Sequence, residues 1–235
     1  MSARLKKYLA VGVFFAAIGP PIFGQSVEFL PEVDLHLKLN SFFRAYLQAK
    51  DDRDAGAQSQ LSVGPSLQFY LKPQLKLKNI TAFDLDDAKP RPLVLEVGYR
   101  SVTAPDTPPT NRLETILLFH FPLKAGFLMG DRNRADLDWK QGGFTWRYRN
   151  KLNIERTVAI FSYHLIPYVA VEPYYVAQYG KWSTTALYAG CLFPAGKHLQ
   201  FGSYYEHENN TGKSPNKQVN SIGLVLSIYF SLPKK

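Results

Sequence analysis

The residues best suited to chemistry are charged side chains that recur at every second position between residues 131 and 155. Such alternation places side chains on one face of a β-strand. The opposite face of the second half of this stretch carries Phe144, Trp146 and Leu152. Together with two glutamates from later segments, the charged set is Arg132, Arg134, Asp136, Asp138, Arg147, Arg149, Lys151, Glu155, Glu172 and Glu206.

A charged face opposite an apolar face is typical of a lipid-embedded β-barrel, so we expect these charges to face the lumen. A lone charge in a narrow lumen costs several kcal/mol, and we therefore expect Arg–Asp and Arg–Glu pairs completed by tyrosine hydroxyls. The tyrosines predicted to face the lumen are Tyr168, Tyr174, Tyr188 and Tyr204, with Glu96 and Arg100 across the barrel. In one alternative, the ion pairs only fill and stiffen the lumen. In the other, the excess of basic over acidic residues makes the lumen selective for small anionic solutes.

A third function is lipid hydrolysis, since outer-membrane hydrolases place a serine and a histidine two positions apart on a strand. That spacing occurs here at Ser162-Tyr163-His164, which the topology assigns to a periplasmic connection, away from outer-leaflet substrate. There is no Gly-x-Ser-x-Gly motif, and no histidine is followed by another within three to five residues. The sequence therefore predicts no catalytic residue, no metal site and no cofactor.

The elements that position these residues are short segments of alternating polarity. In the last hairpin, Leu199 to Phe230, Ile222 and Leu224 lie on one face while Ser221 and Gly223 lie on the other. Eleven such segments follow one another with turns and no helical pattern between them, which predicts an all-β, antiparallel up-and-down transmembrane barrel. Residues 75–85 are an ambiguous twelfth segment. Since bacterial barrels usually have even strand numbers, we expect about twelve strands, with ten as the alternative.

The ends of the predicted strands also assign the loops to two sides. We expect 103–111, 140–143, 178–182 and 209–217 on the outer side, and 122–126 and 194–197 on the periplasmic side. Prolines 105, 108 and 109 predict that 103–110 is a loop that cannot continue a ladder. Asp131 and Asn133 break the alternation, because they would face lipid at mid-strand, and a β-bulge near them is the expected explanation.

The first 25 residues read as a signal peptide. Three basic residues up to Lys7 precede an apolar run, Tyr8 to Ile18, that is too short to span a bilayer, and Pro20-Pro21 follows. A retained N-terminal anchor is the alternative. Removal of residues 1–25 lowers the formal charge from +9 by three units, to +6. Residues 26–235 then form one outer-membrane barrel domain, in which Cys191 lies alone on an apolar face.

The amino-acid composition is consistent with two classes of β-protein and does not decide between them. Aromatic residues make up 14% of the chain while mean hydropathy is −0.19, a combination that suits either a membrane barrel or a soluble β-sandwich that binds a ligand. The basic residues are spread through the strands, with no continuous basic run, which argues against nucleic-acid binding.

Several motifs resemble the bacterial outer-membrane barrels grouped as domain of unknown function 2490. They are Trp146-Arg147-Tyr148-Arg149-Asn150-Lys151-Leu152, Pro167-Tyr168-Val169 with Glu172, Tyr204-Tyr205-Glu206-His207-Glu208-Asn209-Asn210, and Tyr229-Phe230. The resemblance covers most of residues 30–230. It implies a barrel in the outer membrane and brings no catalytic residue. Residues 231–235 depart from it by following the aromatic residue that usually ends such barrels.

The expected partners follow from this class. We expect a monomer in contact with outer-membrane lipid, inserted by the barrel-insertion machinery that recognises a terminal aromatic such as Phe230. A small anionic solute is the expected cargo if the lumen is open. Reading the chain as a porin-like barrel of a Gram-negative-type envelope, we expect it in the bacterial cell outer membrane.

Overall fold

A computed structural model describes residues 27–54, 57–71, 85–161, 163–212 and 214–232. The predicted signal peptide lies outside the described residues, as does all of the ambiguous segment 75–85 except residue 85. Two 3-10 helices, Lys124–Gly126 and Ala177–Tyr179, accompany the strands, and no described helix is long and apolar enough to cross a membrane. The strands are β1 (Val27–Lys38), β2 (Phe43–Asp54), β3 (Ala57–Tyr70), β4 (Leu93–Ala104), β5 (Thr107–Pro122), β6 (Phe127–Lys140), β7 (Gly143–Arg156), β8 (Val158–Ile160), β9 (Tyr163–Val176), β10 (Lys181–Ala195), β11 (Leu199–Asn210) and β12 (Lys217–Ser231).

Eleven of the twelve strands form one closed ring. Each ring strand pairs with its neighbours in chain order, β7 pairs with β9, and β12 returns to β1. The short strand β8 stands outside the ring and pairs only with the start of β9. The predicted antiparallel up-and-down barrel of about twelve strands is confirmed, and the closed ring excludes the β-sandwich alternative.

The closing pair explains why the ring holds an odd number of strands. β1 and β12 run in the same direction, from Val27 beside Asn220 to Lys38 beside Ser231, whereas every other pair is antiparallel. Strands that alternate in direction can bring a parallel first and last strand together only when their number is odd. The eleven ring strands coincide with the eleven clear alternating segments, and β8 is the twelfth strand of the described residues, which include only residue 85 of the ambiguous segment 75–85.

Alternation separates an apolar exterior from a charged interior. Phe29, Leu35, Leu117, Phe201 and Leu224 are among the large apolar side chains exposed on the outer face. Their neighbours one position away face inward, and Asp34, His36 and Gln200 among them are buried polar side chains. Polar atoms of the backbone are used in the ladder between strands, as a lipid environment requires.

Connections gather at two ends, which we call the upper end, where β1 begins, and the lower end, where β12 ends. The turns after β2, β4, β6, β9 and β11 lie at the upper end. The prediction of a loop at 103–110 was wrong, because β4 extends to Ala104 and β5 begins at Thr107. A shift in register between Val102 and Ala104 accommodates the prolines at this rim, where the ladder is ending.

The bulge expected near Asp131 and Asn133 is absent. β5, β6 and β7 pair through these positions in unbroken register, with Asn133 opposite Asn150. Both residues therefore keep their outward parity and project from the apolar face of the barrel.

Interior tyrosines pack against glycines of neighbouring strands. A side chain at Gly190 would lie 2.7 Å from the hydroxyl oxygen of Tyr168, and one at Gly223 would overlap the ring of Tyr204. The missing side chains at Gly190 and Gly223 give these rings the space to lie against the barrel wall. The two predicted lumen tyrosines are thus fixed by residues whose only contribution is their small size.

Candidate lumen site

The structure places the predicted charged residues and tyrosines on the inner wall. Eleven of them line a single polar cavity inside the barrel: Arg132, Arg134, Arg147, Arg149, Lys151, Tyr168, Glu172, Tyr174, Tyr188, Tyr204 and Glu206. Asp136 and Asp138 lie behind arginines of that lining, while Glu155 lies near the lower end of β7. The sequence pattern thus brings together residues from β6, β7, β9, β10 and β11.

Asp136 is the buried anchor of the first ion-pair cluster. Its carboxylate is fully buried and accepts hydrogen bonds from Nε of Arg134 and Nε of Arg147, each at 2.5 Å. Arg134 also donates to Glu114 on β5 at 2.5 Å. Since an uncompensated buried charge is very unfavourable, this carboxylate and its arginines must be retained together.

Glu172 is the anchor of a second cluster, on β9. Its side chain is fully buried, and Arg132 and Arg149 donate to the same oxygen, each at 3.0 Å. The hydroxyl of Tyr188 donates to the other oxygen at 2.9 Å and lies 3.0 Å from a carboxylate oxygen of Glu206. Tyrosine hydroxyls therefore connect charged groups across β9, β10 and β11.

Lys151 differs from the arginines around it. Its ammonium lies 3.5 Å from the centre of the Tyr188 ring, a cation–π contact, and it forms no ion pair with any described residue. This ammonium faces the cavity and can pair with a solute's anion without breaking an existing ion pair.

Sequence reasoning missed several lumen residues on β2 and β5. Arg112 donates to both carboxylate oxygens of Asp138, at 2.6 and 2.9 Å, and Glu114 lies between Arg134 and Arg100. The signal was present, since Arg112 and Glu114 alternate with Leu113, but these two residues were not among the predicted lumen charges.

The cavity has two walls of opposite charge. Six cations and one carboxylate of β5 to β7 line it: Arg112, Glu114, Arg132, Arg134, Arg147, Arg149 and Lys151. Five carboxylates and two lysines of β11, β12, β1 and β2 line it from the other side: Glu28, Glu32, Asp52, Glu206, Glu208, Lys50 and Lys217. The two walls are separated by β9 and β10 on one side and by β3 and β4 on the other, so they face each other across the lumen.

The cavity has a volume of about 520 Å³ and reaches the upper end of the barrel. Asn210, the last residue of β11, and Lys217, the first residue of β12, belong to its lining. A volume of this size accommodates a small organic ion.

At the lower end, the segment 85–92 crosses the mouth of the lumen; we call it the plug. Arg44 of β2 pairs with Asp86 at 2.5 Å and with Asp87 at 3.0 Å, while Lys89 pairs with Glu155 of β7 at 2.7 Å. Ala88 is fully buried among Tyr70, Val94 and Leu118. Contacts to both sides of the ring show that the plug spans the opening.

Charge also holds the plug in place. Burial raises the pKa of the Asp86 carboxyl, but the Arg44 guanidinium outweighs this effect and, with His36 and Lys89, holds the pKa well below its usual range. Because the folded-state pKa is below that of the unfolded chain, the contact stabilises the fold above the ordinary carboxyl pKa. This contribution is lost as the pH falls through the lower folded-state value.

The Ser-x-His motif lies only partly within the described residues. Ser162 lies outside the described residues, and Tyr163 and His164 begin β9 at the lower end. Among the described residues, no group of histidine, cysteine, aspartate and glutamate has a geometry that could hold a metal ion. Cys191 is buried.

No family model and no curated protein sequence matches the chain. Among solved structures, the chain is similar to a "Bacterial polysaccharide outer membrane secretin", with a TM-score of 0.50 and 9% sequence identity. The match covers 78% of this chain and 63% of that one, so this chain spans less than two thirds of its length. At this identity the likeness concerns the barrel fold alone.

Removing the carboxylate charge at Asp136 should destabilise the barrel strongly. In Asp136→Asn, Arg134 and Arg147 lose their shared buried counter-ion, and we expect a loss of about 3–5 kcal/mol in the free energy of unfolding. Denaturant unfolding in lipid vesicles measures this. The control is Glu208→Gln, which lines the same cavity but pairs with no described cation and should change stability by about 0.5 kcal/mol or less. Equal effects of the two substitutions would contradict the anchoring role of Asp136.

Loss of Arg44 should release the plug. With Cys191 replaced by alanine, a cysteine introduced by Ala88→Cys should react slowly with a charged maleimide, and adding Arg44→Ala should raise the rate about tenfold or more. Lys38→Ala is the control, because its contact with Asp87 is partly exposed and contributes little. Unchanged labelling in Arg44→Ala would show that this pair does not hold the plug.

The stability difference between wild type and Arg44→Ala should shrink as the pH falls below the ordinary carboxyl range.

Proposed function

We propose that this chain is an outer-membrane β-barrel whose lumen admits small charged solutes from the upper end. Support for the membrane location comes from the apolar exterior, since large side chains such as Leu35, Leu117 and Phe201 are exposed all round a closed ring. The fold similarity to an outer-membrane protein agrees with this location. The exposed Phe230 near the end of β12 suits recognition by the barrel-insertion machinery. Membership of the domain of unknown function 2490 barrels stays a prediction.

The single observation that carries the solute function is the cation-rich wall on β5, β6 and β7. Six cations face a cavity of about 520 Å³ with one carboxylate from the same strands, and Lys151 among them has no described ion-pair partner. An anionic group entering from the upper end therefore finds charged donors already in place, with no cost for ordering them. A small organic solute with an anionic group fits this wall.

The acidic wall restricts this class further. Glu28, Glu32 and Glu208 lie across the cavity from the arginines and repel a solute that is anionic at both ends. A solute that carries one anionic and one cationic group can place each group against the wall of opposite sign. Preference for small zwitterions over dianions follows from this arrangement.

Passage through the barrel requires the plug to move. The plug is held by ion pairs and by packing around Ala88, and these contacts can open without breaking a covalent bond. A closed barrel with a purely structural role is the second candidate. The dense pairing at Asp136 and Glu172, which fills the inner wall with interlocked charges, favours it.

Conductance in planar lipid bilayers separates the two candidates. We expect wild type to conduct weakly and Arg44→Ala to conduct more, because the plug is released. In the Arg44→Ala background, Arg147→Gln with Arg149→Gln should shift the reversal potential in a salt gradient toward lower anion preference. Arg53→Gln, at an exposed rim position outside the cavity lining, is the control for removal of an arginine and should leave the reversal potential unchanged.

The folded state of each variant is checked by heat-modifiable gel mobility before recording. The solute role is wrong, and the structural role stands, if folded Arg44→Ala never conducts. The same conclusion follows if its ion preference is unchanged by the substitutions at Arg147 and Arg149.

A further inference from the structure

A cluster of polar side chains lies on the outer surface of β6 and β7; we call Asp131, Asn133, Tyr148 and Asn150 the outer patch. Tyr148 donates to the side-chain oxygen of Asn133 at 2.5 Å, and Asn150 donates to Asp131 at 2.6 Å and to Asn133 at 3.1 Å. Asn133 donates to Asp131 at 3.2 Å. The lumen function uses none of these groups.

The outer patch lies midway along the apolar band. On β6, the outward residues run from Phe127 at the lower end to Trp139 at the upper end, and Asn133 is halfway between them. On β7, Trp146 lies above the patch and Ile154 lies below it. Lipid-facing positions at this level are normally apolar, since polar groups there find no water to bind.

Hydrogen-bonding capacity remains unused in the outer patch. No described residue donates to the side-chain oxygen of Asn150 or to the second carboxylate oxygen of Asp131. The β7–β9 pairing is also interrupted beside Asn150, between Arg149–Tyr174 and Leu152–Val171. Pro173 lies in this gap and has no N–H to donate. The patch therefore presents acceptors that a second protein surface can satisfy.

The chemistry of the patch fits a second copy of the same chain. An asparagine amide is both donor and acceptor, so two asparagines satisfy each other across a symmetric interface. Asn133 and Asn150 are direct cross-strand partners in register. A two-fold axis along the barrel that passes between them sets β6 of one copy against β7 of the other, so each Asn133 meets an Asn150.

The shape of the patch agrees with the same axis. Ala135 and Tyr148 are the next outward pair in the register. Under the two-fold operation the small Ala135 of one copy faces the ring of Tyr148 in the other, which leaves room for close approach of the strands. Close approach at small residues, joined by polar side chains, is how membrane-embedded surfaces associate.

We propose that the outer patch is a homodimer interface, with Asn133 and Asn150 paired reciprocally between two barrels. The inference rests on the membrane location proposed above and is independent of solute passage. It differs from the monomer that the sequence predicted, because that prediction followed from the barrel class and not from the residues of the outer patch.

The test is the dimer dissociation constant of the full barrel in detergent micelles, measured by analytical ultracentrifugation over a dilution series. We expect wild type to dimerise, and Asn133→Leu with Asn150→Leu to weaken dimerisation about tenfold or more by removing the amide pairs. Asn111→Leu is the matched control. Asn111 also accepts a tyrosine hydroxyl, from Tyr99 at 2.5 Å, but lies away from the patch, so dimerisation should be unchanged.

A second variant tests shape without removing hydrogen bonds. Ala135→Trp fills the space opposite Tyr148, suits a lipid-facing position and should also prevent dimerisation, while heat-modifiable mobility shows that the barrel is folded. The proposal is overturned if wild type stays monomeric throughout the dilution series, or if the dimer survives in both patch variants. Association of wild type with another membrane protein but not with itself would also overturn it.

Discussion

The last pair of strand edges, β1 beside β12, is the contact on which the rest of the molecule depends. An open sheet would leave two rows of unpaired backbone groups, and in lipid each unsatisfied group costs several kcal/mol. Closure through a parallel pair removes both edges at once. It also fixes which side chains are inside, because a shift by one residue would turn the charged face outward.

Once the ring is closed, the interior must balance its own charge. Asp136 and Glu172 achieve this at two fully buried carboxylates, each shared by two arginines. The balance is local, however, and the walls of the cavity remain opposite in sign. Stability and the proposed solute recognition therefore draw on one set of residues, divided between paired charges behind the wall and accessible ones such as Lys151.

The local features of the fold could be predicted from the sequence. Alternation identified the eleven ring strands and the inward parity of residues such as Arg132 and Arg147, because a strand's faces depend only on its own sequence. The direction of the closing pair could not be predicted, since it depends on two strands at opposite ends of the chain. An expected even strand number favoured a twelfth strand at residues 75–85, whereas a parallel closing pair requires an odd number of ring strands.

Other differences also come from contacts between distant parts of the chain. The plug forms when Asp86 meets Arg44 and Lys89 meets Glu155, and the segment 85–92 shows no alternating pattern by itself. Pro108 and Pro109 suggested a loop, although an edge position at the barrel rim tolerates them within β5. Strict alternation correctly predicted that Asp131 faces outward. The β-bulge that we expected there, because a carboxylate at a lipid-facing position is unusual, is absent.

The parallel closure is tested most directly by disulfide formation between pairs of introduced cysteines on β1 and β12, in a chain with Cys191 replaced by alanine. The structure pairs Phe29 with Ile222 and Leu35 with Ile228, so cysteine pairs at 29/222 and 35/228 should cross-link. The crossed pairs 29/228 and 35/222 should not. Cross-linking of the crossed pairs would show antiparallel closure, and cross-linking of neither set would show that these strands do not close the ring.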